Sequence, residues 1–356
     1  MPLFMDFHKM ENVTIEDVKS AHMADVAIQD QYGVKYHQFW VNQEAGTVFC
    51  LTEGPDKETV EQVHRMAHGN LACTLTEVES GFYNAMMGQN HTVDYYGVVK
   101  KMDGDIDLGY RSILTVSVRC AEPNETSSLH IQQSTKDLIS RKIVEFNGRE
   151  INSGTDSIVA VFNEATDAVR CSVQLQIKLS ERNKERVVFR IGLSADQPVT
   201  KEGGFFKKAI GLAQHLCEVA CDNEVVISSL VRALSKEVKI NGKNVRYLEE
   251  PDEQFLTRLF EIIEGNFSDK DFNIASICRN IGISRPQLYR KMTSLTGRSP
   301  NDFLRDIRME RALMLLRRKA GNISQVAMEM GYGNPSYFTK RFAEKFGCKP
   351  SEASFS

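Results

Sequence analysis

Residues 283–316 read ISRPQLYRKMTSLTGRSPNDFLRDIRMERALMLL, and residues 323–352 read ISQVAMEMGYGNPSYFTKRFAEKFGCKPSE. The two stretches follow one plan. Ile274, Ala275, Ile277 and Cys278 place apolar side chains at helical spacing, Gly282 supports a turn, and Ser284 is suited to cap a helix from Arg285 to Thr296. In the second stretch Ile323, Val326 and Ala327 form the first helix, Gly331 the turn, Asn334 the cap, and Pro335 to Phe346 the second helix. Pro286 and Pro335 both fall in first helical turns, where a missing N–H costs little. Between the units, Pro300 to Lys319 reads as one long helix with Phe303, Ile307, Ala312, Leu315 and Leu316 inward and an arginine-rich outer face. The pattern predicts two helix-turn-helix units in tandem.

These residues resemble the AraC/XylS family of transcription regulators over about 100 residues. The resemblance implies an all-helical domain that binds double-stranded DNA. It implies that Arg285, Gln287, Leu288, Arg290 and Lys291 in the first recognition helix, and Asn334, Ser336, Tyr337, Lys340 and Arg341 in the second, face major grooves. The chemistry is suitable: arginine can fork onto guanine, glutamine or asparagine onto adenine, and lysine and arginine neutralise phosphates.

Around this module lies a chain of 356 residues, 42% hydrophobic and 26% charged, long enough for two or three domains of roughly 100–200 residues. No apolar run reaches the roughly 18–20 residues of a membrane helix, and Met1 to Met10 carries Asp6 and His8 where a signal peptide would be apolar. A cytoplasmic protein with no membrane partner is expected. Cys50, Cys73, Cys120, Cys171, Cys217, Cys221, Cys278 and Cys348 are scattered singly and read as reduced thiols. The net charge of −3 hides an asymmetry. Phe255 to Ser356 holds 17 Lys and Arg against 10 Asp and Glu, and the first 254 residues hold 27 against 37. A basic module is tethered to an acidic body, so the net charge does not exclude nucleic acid.

Five of eight histidines fall in the first 70 residues. There the order is strand (Pro2 to His8), helix (capped by Thr14, with Asp17 three residues on, to about Tyr32), strand (Lys35 to Val41), strand (Thr47 to Glu53), helix (Asp56 to His68) and strand (Ala72 to Val78). This βαββαβ order implies a ferredoxin-like sandwich over residues 1–80. Asp6 and His8 share one strand face, and His64 and His68, four apart, share one helix face. Such a histidine pair suits a two-ligand clamp for zinc, nickel or copper, and it equally suits surface or capping histidines. The segments MPLFMDFHKM, AHMADVAIQDQYGVKYHQFWV and GTVFCLTEGPDKETVEQVHRMAHG resemble a family of small bacterial nickel-binding ferredoxin-like proteins that assemble as dimers. That resemblance implies His8, His22, His64 and His68 as candidate ligands for nickel or another divalent transition metal, with Asp6 and Glu77 as supporting carboxylates.

Residues 81–109, glycine-containing and without clear period, read as a connector with a short strand at most. From 110 to 250 strands and helices alternate: Ser112 to Val118, Leu129 to Phe146, Ile151 to Phe162, Ala165 to Ser180, Arg186 to Leu193, Phe205 to Ala220, Glu224 to Ser228 and Glu237 to Tyr247. RSILTVSV, GREINSGTDSIVAVFNEATDAVRCSVQLQ, RIGLSADQPV and KKAIGLAQHLCEVA resemble the class III adenylate/guanylate cyclase domain, an α/β fold that dimerises with its pockets between subunits. Laid on that family, the first metal-binding aspartate position holds Ser117 and the second Asp156; the base-selecting position holds Asn152; the Asn and Arg positions hold Gly211 and His215. Only Asp156 matches. The expectation is a catalytically silent, cyclase-like domain that serves a homodimer or a small-molecule effector, ahead of a DNA-binding domain over 251–356. The alternative is an active cyclase coupled to a DNA reader. Multidomain α+β plus all-α is the expected fold class.

Overall fold

In the computed structural model, residues 1–89, 91–120, 126–153, 157–182, 187–236, 238 and 244–353 are described. The first six elements are β1 (Leu3–Lys9), α1 (Ile15–Tyr32), β2 (Lys35–Asn42), β3 (Thr47–Glu53), α2 (Lys57–Ala67) and β4 (Thr74–Val78). The strands form one antiparallel sheet in the order β2-β3-β1-β4, as the βαββαβ pattern requires. Local chemistry sets the helix starts. Thr14 and Asp17 close a reciprocal capping box on α1, and the Asp56 carboxylate accepts from the Thr59 N–H at 2.8 Å on α2. Alternation then divides β1: Phe4, Asp6 and His8 face the helices, and Met5 and Phe7 enter an apolar cluster on the opposite face.

The stretch read as a connector is mostly structured. It contains α3 (Ser80–Met87) and a small hairpin of β5 (Thr92–Val93) and β6 (Val99–Lys100), and Tyr83, Met86, Met87 and Val99 are buried. The reason is tertiary. Two arginines from the following domain hold the C-terminal carbonyls of α3: Arg149 donates to Ala85 O at 3.1 Å and Met86 O at 3.0 Å, and Arg111 to Met87 O at 3.4 Å. Arg111, almost wholly buried, is in turn paired with Asp107 at 2.8 Å.

The middle domain comprises β7 (Arg111–Cys120), α4 (Thr126–Glu145), β8 (Arg149–Ser153), β9 (Ser157–Phe162), α5 (Ala165–Ser180), β10 (Val187–Asp196), α6 (Lys207–Val219), β11 (Glu224–Ile227), α7 (Ser229–Leu234) and β12 (Val245–Tyr247). Its six-stranded sheet runs β12-β11-β10-β7-β9-β8. One face packs against α4 and α5 through Leu114, Val116, Ile158, Phe162, Phe189 and Ile191. The opposite face carries Ile113, Val159 and Val161 against Met5, Trp40, Phe49 and Leu51 of the N-terminal sheet, so the two sheets share one core. On the same side α6 lies directly over β10. A Cβ at Gly192 would come within 2.1 Å of Ala213 O, so only glycine permits this approach.

The C-terminal region is helical: α8 (Glu250–Glu264), α9 (Ile274–Ile281), α10 (Arg285–Thr296), α11 (Pro300–Arg317), α12 (Ile323–Glu329), α13 (Pro335–Phe346) and α14 (Pro350–Ala353). The predicted helix-turn-helix elements are all present, and α8 is added ahead of them. Gly282 ends α9 in the left-handed conformation (φ +83°) that makes its turn. α8 fastens the first unit to the middle domain, where Leu256, Leu259, Phe260 and Ile263 share a core with Leu216 and Val219 of α6 and with Ala220 just after it. Among the described residues no helix is long and apolar enough to cross a membrane.

Candidate functional site

The space between the N-terminal sheet and its two helices is polar where an apolar core would be expected. On α1 the inward positions are Val18, His22 and Asp25; on α2 they are Val60, Val63 and His64; on β1 they include Asp6 and His8. Asp6 is fully buried, His64 is 1% exposed and Asp25 2%. Burying such groups is costly unless they are paired, and here they are. His64 Nε2 lies 2.9 Å from Asp6 Oδ2, and its Nδ1 lies 3.2 Å from Asp25 Oδ2. His68, at the C-cap of α2, brings Nε2 to 3.2 Å from the same Asp25 oxygen and 3.3 Å from His64 Nδ1. His8 Nε2 stands 3.5 Å from Asp6 Oδ2, while the other Asp6 oxygen accepts the Cys50 N–H at 2.6 Å.

Electrostatics follow from this packing. Burial alone would raise the Asp6 pKa, but His8 and His64 outweigh it and hold the carboxyl well below the ordinary range. Burial alone would lower that of His64, but Asp25 and Asp6 raise it to about 10. His22, without a paired carboxylate, is lowered by burial. Among the described residues two groups of three ligand-type side chains have donor atoms within 4.8 Å of one another: Asp6, His8 and His64, and Asp25, His64 and His68. His22 Nδ1 and Asp25 Oδ1 are buried without a hydrogen-bond partner, and all these residues except Asp6 line one cavity of about 60 Å³. Gly97 packs against His22, where a Cβ would come within 2.5 Å of Nε2. Nitrogen and carboxylate donors at such separations fit a divalent transition ion.

The structure therefore gathers His8, His64 and His68, with His22 beside them, and replaces one predicted carboxylate. Glu77 is exposed on β4 and takes no part in the cluster. Asp25 is the second carboxylate of the cluster. It lies three residues after His22 on the buried face of α1, whose buried residues are Val18, His22 and Asp25, and so weak an apolar contrast gives no sequence signal for it.

In the helical domain the ten predicted DNA-contacting residues separate by environment. Arg285, Arg290, Ser336 and Lys340 are exposed. Leu288 is not available: it is fully buried in the first unit's core, which corrects its assignment to the groove-facing set. Its replacement, Leu288→Ala, should destabilise the domain by about 2–5 kcal/mol in urea unfolding, as large-to-small core changes do, without changing base preference. Lys291 turns toward α8, paired with Asp252 and 5.6 Å from the Phe255 ring centroid, with its side chain still partly exposed beside Gln287 and Arg290. Gln287 Oε1 accepts the Ser284 N–H at 2.8 Å, and Asn334 Oδ1 accepts the Ser336 and Tyr337 N–H groups at 2.9 and 3.1 Å, so both oxygens are occupied in capping. Arg341 donates to Tyr337 Oη at 3.0 Å and Glu344 at 2.7 Å. A groove between the units is lined by Asn301, Arg305, Asn334 and Tyr337; Asn301 and Arg305 belong to α11, which the pattern marked only as an arginine-rich face.

The four cyclase-like positions among the described residues lie in different settings. His215 stacks on Phe260 of α8 at 3.9 Å between ring centroids and pairs with Glu264 at 3.3 Å, so it serves packing against the helical domain. Gly211 shares its helix, Ser117 is half-buried on β7, Asn152 is exposed on β8, and Asp156 lies outside the described residues.

Comparison with known proteins divides the chain in the same way. Residues 277–354 match the family profile described as a helix-turn-helix domain, and residues 4–78 the one described as nickel responsive protein SCO4226-like. The HTH-type transcriptional activator RhaS of Escherichia fergusonii is 25% identical over 143 residues, 40% of this chain and 49% of that protein. A histidine kinase P4 of Formosa agariphila is 38% identical over 101 residues, 28% of this chain and 7% of that protein. The chain thus spans about half the length of such curated relatives, or much less. SCO4226 from Streptomyces coelicolor A3(2) is 39% identical, covering 21% of this chain and 94% of its own, with a TM-score of 0.21. An adenylate/guanylate cyclase/hydrolase from Silicibacter pomeroyi is 25% identical, covering 35% and 78%, with a TM-score of 0.31. The chain carries an AraC-type helix-turn-helix domain of the kind found in DNA-binding transcription regulators, behind an N-terminal domain of the SCO4226-like type.

Proposed function

We propose that the chain is a one-component transcription regulator in which the N-terminal cluster senses a divalent transition metal and the helical domain reads DNA. The observation that carries the sensing role is the buried arrangement of Asp6, His8, Asp25, His64 and His68, since two carboxylates and three histidines in one core have no packing purpose that apolar residues would not serve better. His8, His64 and His68 would supply nitrogen donors and Asp6 and Asp25 oxygen donors. The ion, when bound, would supply positive charge to satisfy both carboxylates. Arg285, Arg290 and Lys340 present the free cationic surface for the DNA backbone and base edges.

The same reading assigns the middle domain to scaffolding and dimer formation rather than catalysis, with the His215 position spent on interdomain packing. Nickel added to the protein should change its affinity for a duplex selected from a random library by about 5–150-fold, the usual range of linked binding. Fluorescence anisotropy with and without nickel checks this, and an unchanged affinity would remove the sensing role. Cyclic nucleotide formed from ATP or GTP with manganese would instead favour the catalytic alternative.

A further inference from the structure

The two helix-turn-helix units are attached to the rest of the chain by different physics. Helix α11 runs through both. Its Phe303, Leu304 and Ile307 join the apolar core that the first unit shares with α6, and its Met309, Ala312, Leu313 and Leu316 join the core of the second unit. The first unit is therefore held to the middle domain by a continuous apolar seam. Among the described residues, the second unit's core contains no residue from the middle domain.

Among the described residues a line of alternating charges runs between the second unit and the middle domain. Arg119, near the end of β7, pairs with Glu310 of α11. Glu310 pairs with Lys345 of α13 at 3.0 Å, and Lys345 with Asp306 at 3.3 Å. Asp306 lies 3.4 Å from Arg298, whose other guanidinium nitrogen donates to the Glu218 carbonyl on α6. The line thus starts on one element of the middle domain, passes through the second recognition helix, and returns to another. The Arg119 and Glu310 side chains are 34% and 25% exposed, so ions can reach them.

We propose that Arg119 and Glu310 are positioning residues that fix the orientation of the second reading unit, and with it the spacing between the two DNA blocks the protein recognises. Removing the Arg119–Glu310 pair leaves the apolar seam of the first unit untouched, and because the pair is partly buried, salt screens it less than a fully exposed pair even as the Debye length falls from about 10 Å at 0.1 M to about 3 Å at 1 M. Without that pair the first unit keeps its seam, and the second depends on the continuation of α11 for its orientation. This inference rests on the DNA-reading role, and its structural half can be tested without DNA.

The experiment uses the full chain with non-cysteine spin labels at exposed Val144 on α4 and exposed Met328 on α12, and a reference pair at Val144 and Thr293 on α10. At 0.1 M KCl the wild type should give one narrow Val144–Met328 distance by electron–electron resonance. Arg119→Gln and Glu310→Gln should broaden it about two-fold and leave the reference pair narrow, and Arg119→Lys should keep it. The wild type at 1 M KCl should broaden to a smaller extent, and since no residue is changed there, that arm does not depend on how a variant folds. An unchanged distribution in both variants and in the wild type at high salt overturns the proposal. In parallel, duplexes selected from a random library should show one spacing for the wild type and a relaxed range for Arg119→Gln; an identical single spacing for both would also overturn it. If the wild type selects no duplex, the DNA-reading role fails and the distance result still decides the joint.

Discussion

Nickel, copper or zinc titrated into the wild-type protein should bind saturably, and the His64→Ala/His68→Ala variant should lose at least about 100-fold in affinity, read by calorimetry. The size follows from the geometry. Loss of a single supporting residue around a metal usually costs 10–100-fold, and this variant removes donors from both groups, because His64 belongs to each. It also leaves Asp6 and Asp25 buried with fewer partners. Metal at a hundred times its dissociation constant should stabilise the wild type by about 2.7 kcal/mol and the variant far less, so thermal unfolding with and without metal gives a second reading. Equal titrations for the two proteins would sink the assignment. Asp25→Asn is the sharper companion, since it tests a residue that only the fold identified; it should weaken binding about 10–100-fold, where Glu77→Gln should have no effect.

Arg285→Ala/Arg290→Ala should weaken binding to a selected duplex and lower the steepness of its salt dependence by up to about 2 in the log–log plot, close to 0.9 for each phosphate that is no longer neutralised. If one arginine forks onto a base instead, its removal should cost about 1–3 kcal/mol and relax preference at that position, with less change in salt slope. Both side chains are exposed on α10 with the Leu288 and Met292 face turned inward, so neither change should disturb the core. Lys291→Ala is expected to behave differently. Its ammonium is held by Asp252, so it should alter the packing of α8 more than the salt slope. An unchanged slope in the double arginine variant would contradict the placement of α10 against DNA.

How far the sequence could be read depended on the range of the interactions. The capping boxes at Thr14/Asp17, Ser284/Gln287 and Asn322/Gln325 act within three residues, and the helices they start were legible in advance or nearly so. The four strands of the N-terminal sheet were equally clear, because alternation and turn residues are local. The helix α3 was missed since its end is capped by Arg111 and Arg149 from another domain, an interaction with no trace in its own residues. Leu288 was misplaced for a related reason: a resemblance gives the face of a recognition helix only approximately, whereas packing against Phe303 and its neighbours settles which side chains turn inward.

The sequence by itself determined the order of the parts: an acidic βαββαβ domain with clustered histidines, an α/β domain, and a basic tandem helix-turn-helix reader. Periodicity, caps and charge distribution are all written within a few residues of where they act. Only the tertiary structure decided how those parts engage one another. It brought Asp25 to His64 across two helices, laid α6 against the first reading unit, and paired Arg119 with Glu310, 191 residues apart. Such pairings depend on the close packing of surfaces, here on Gly192 allowing α6 to lie on β10, and close packing is a property of the folded chain and not of any one stretch of it.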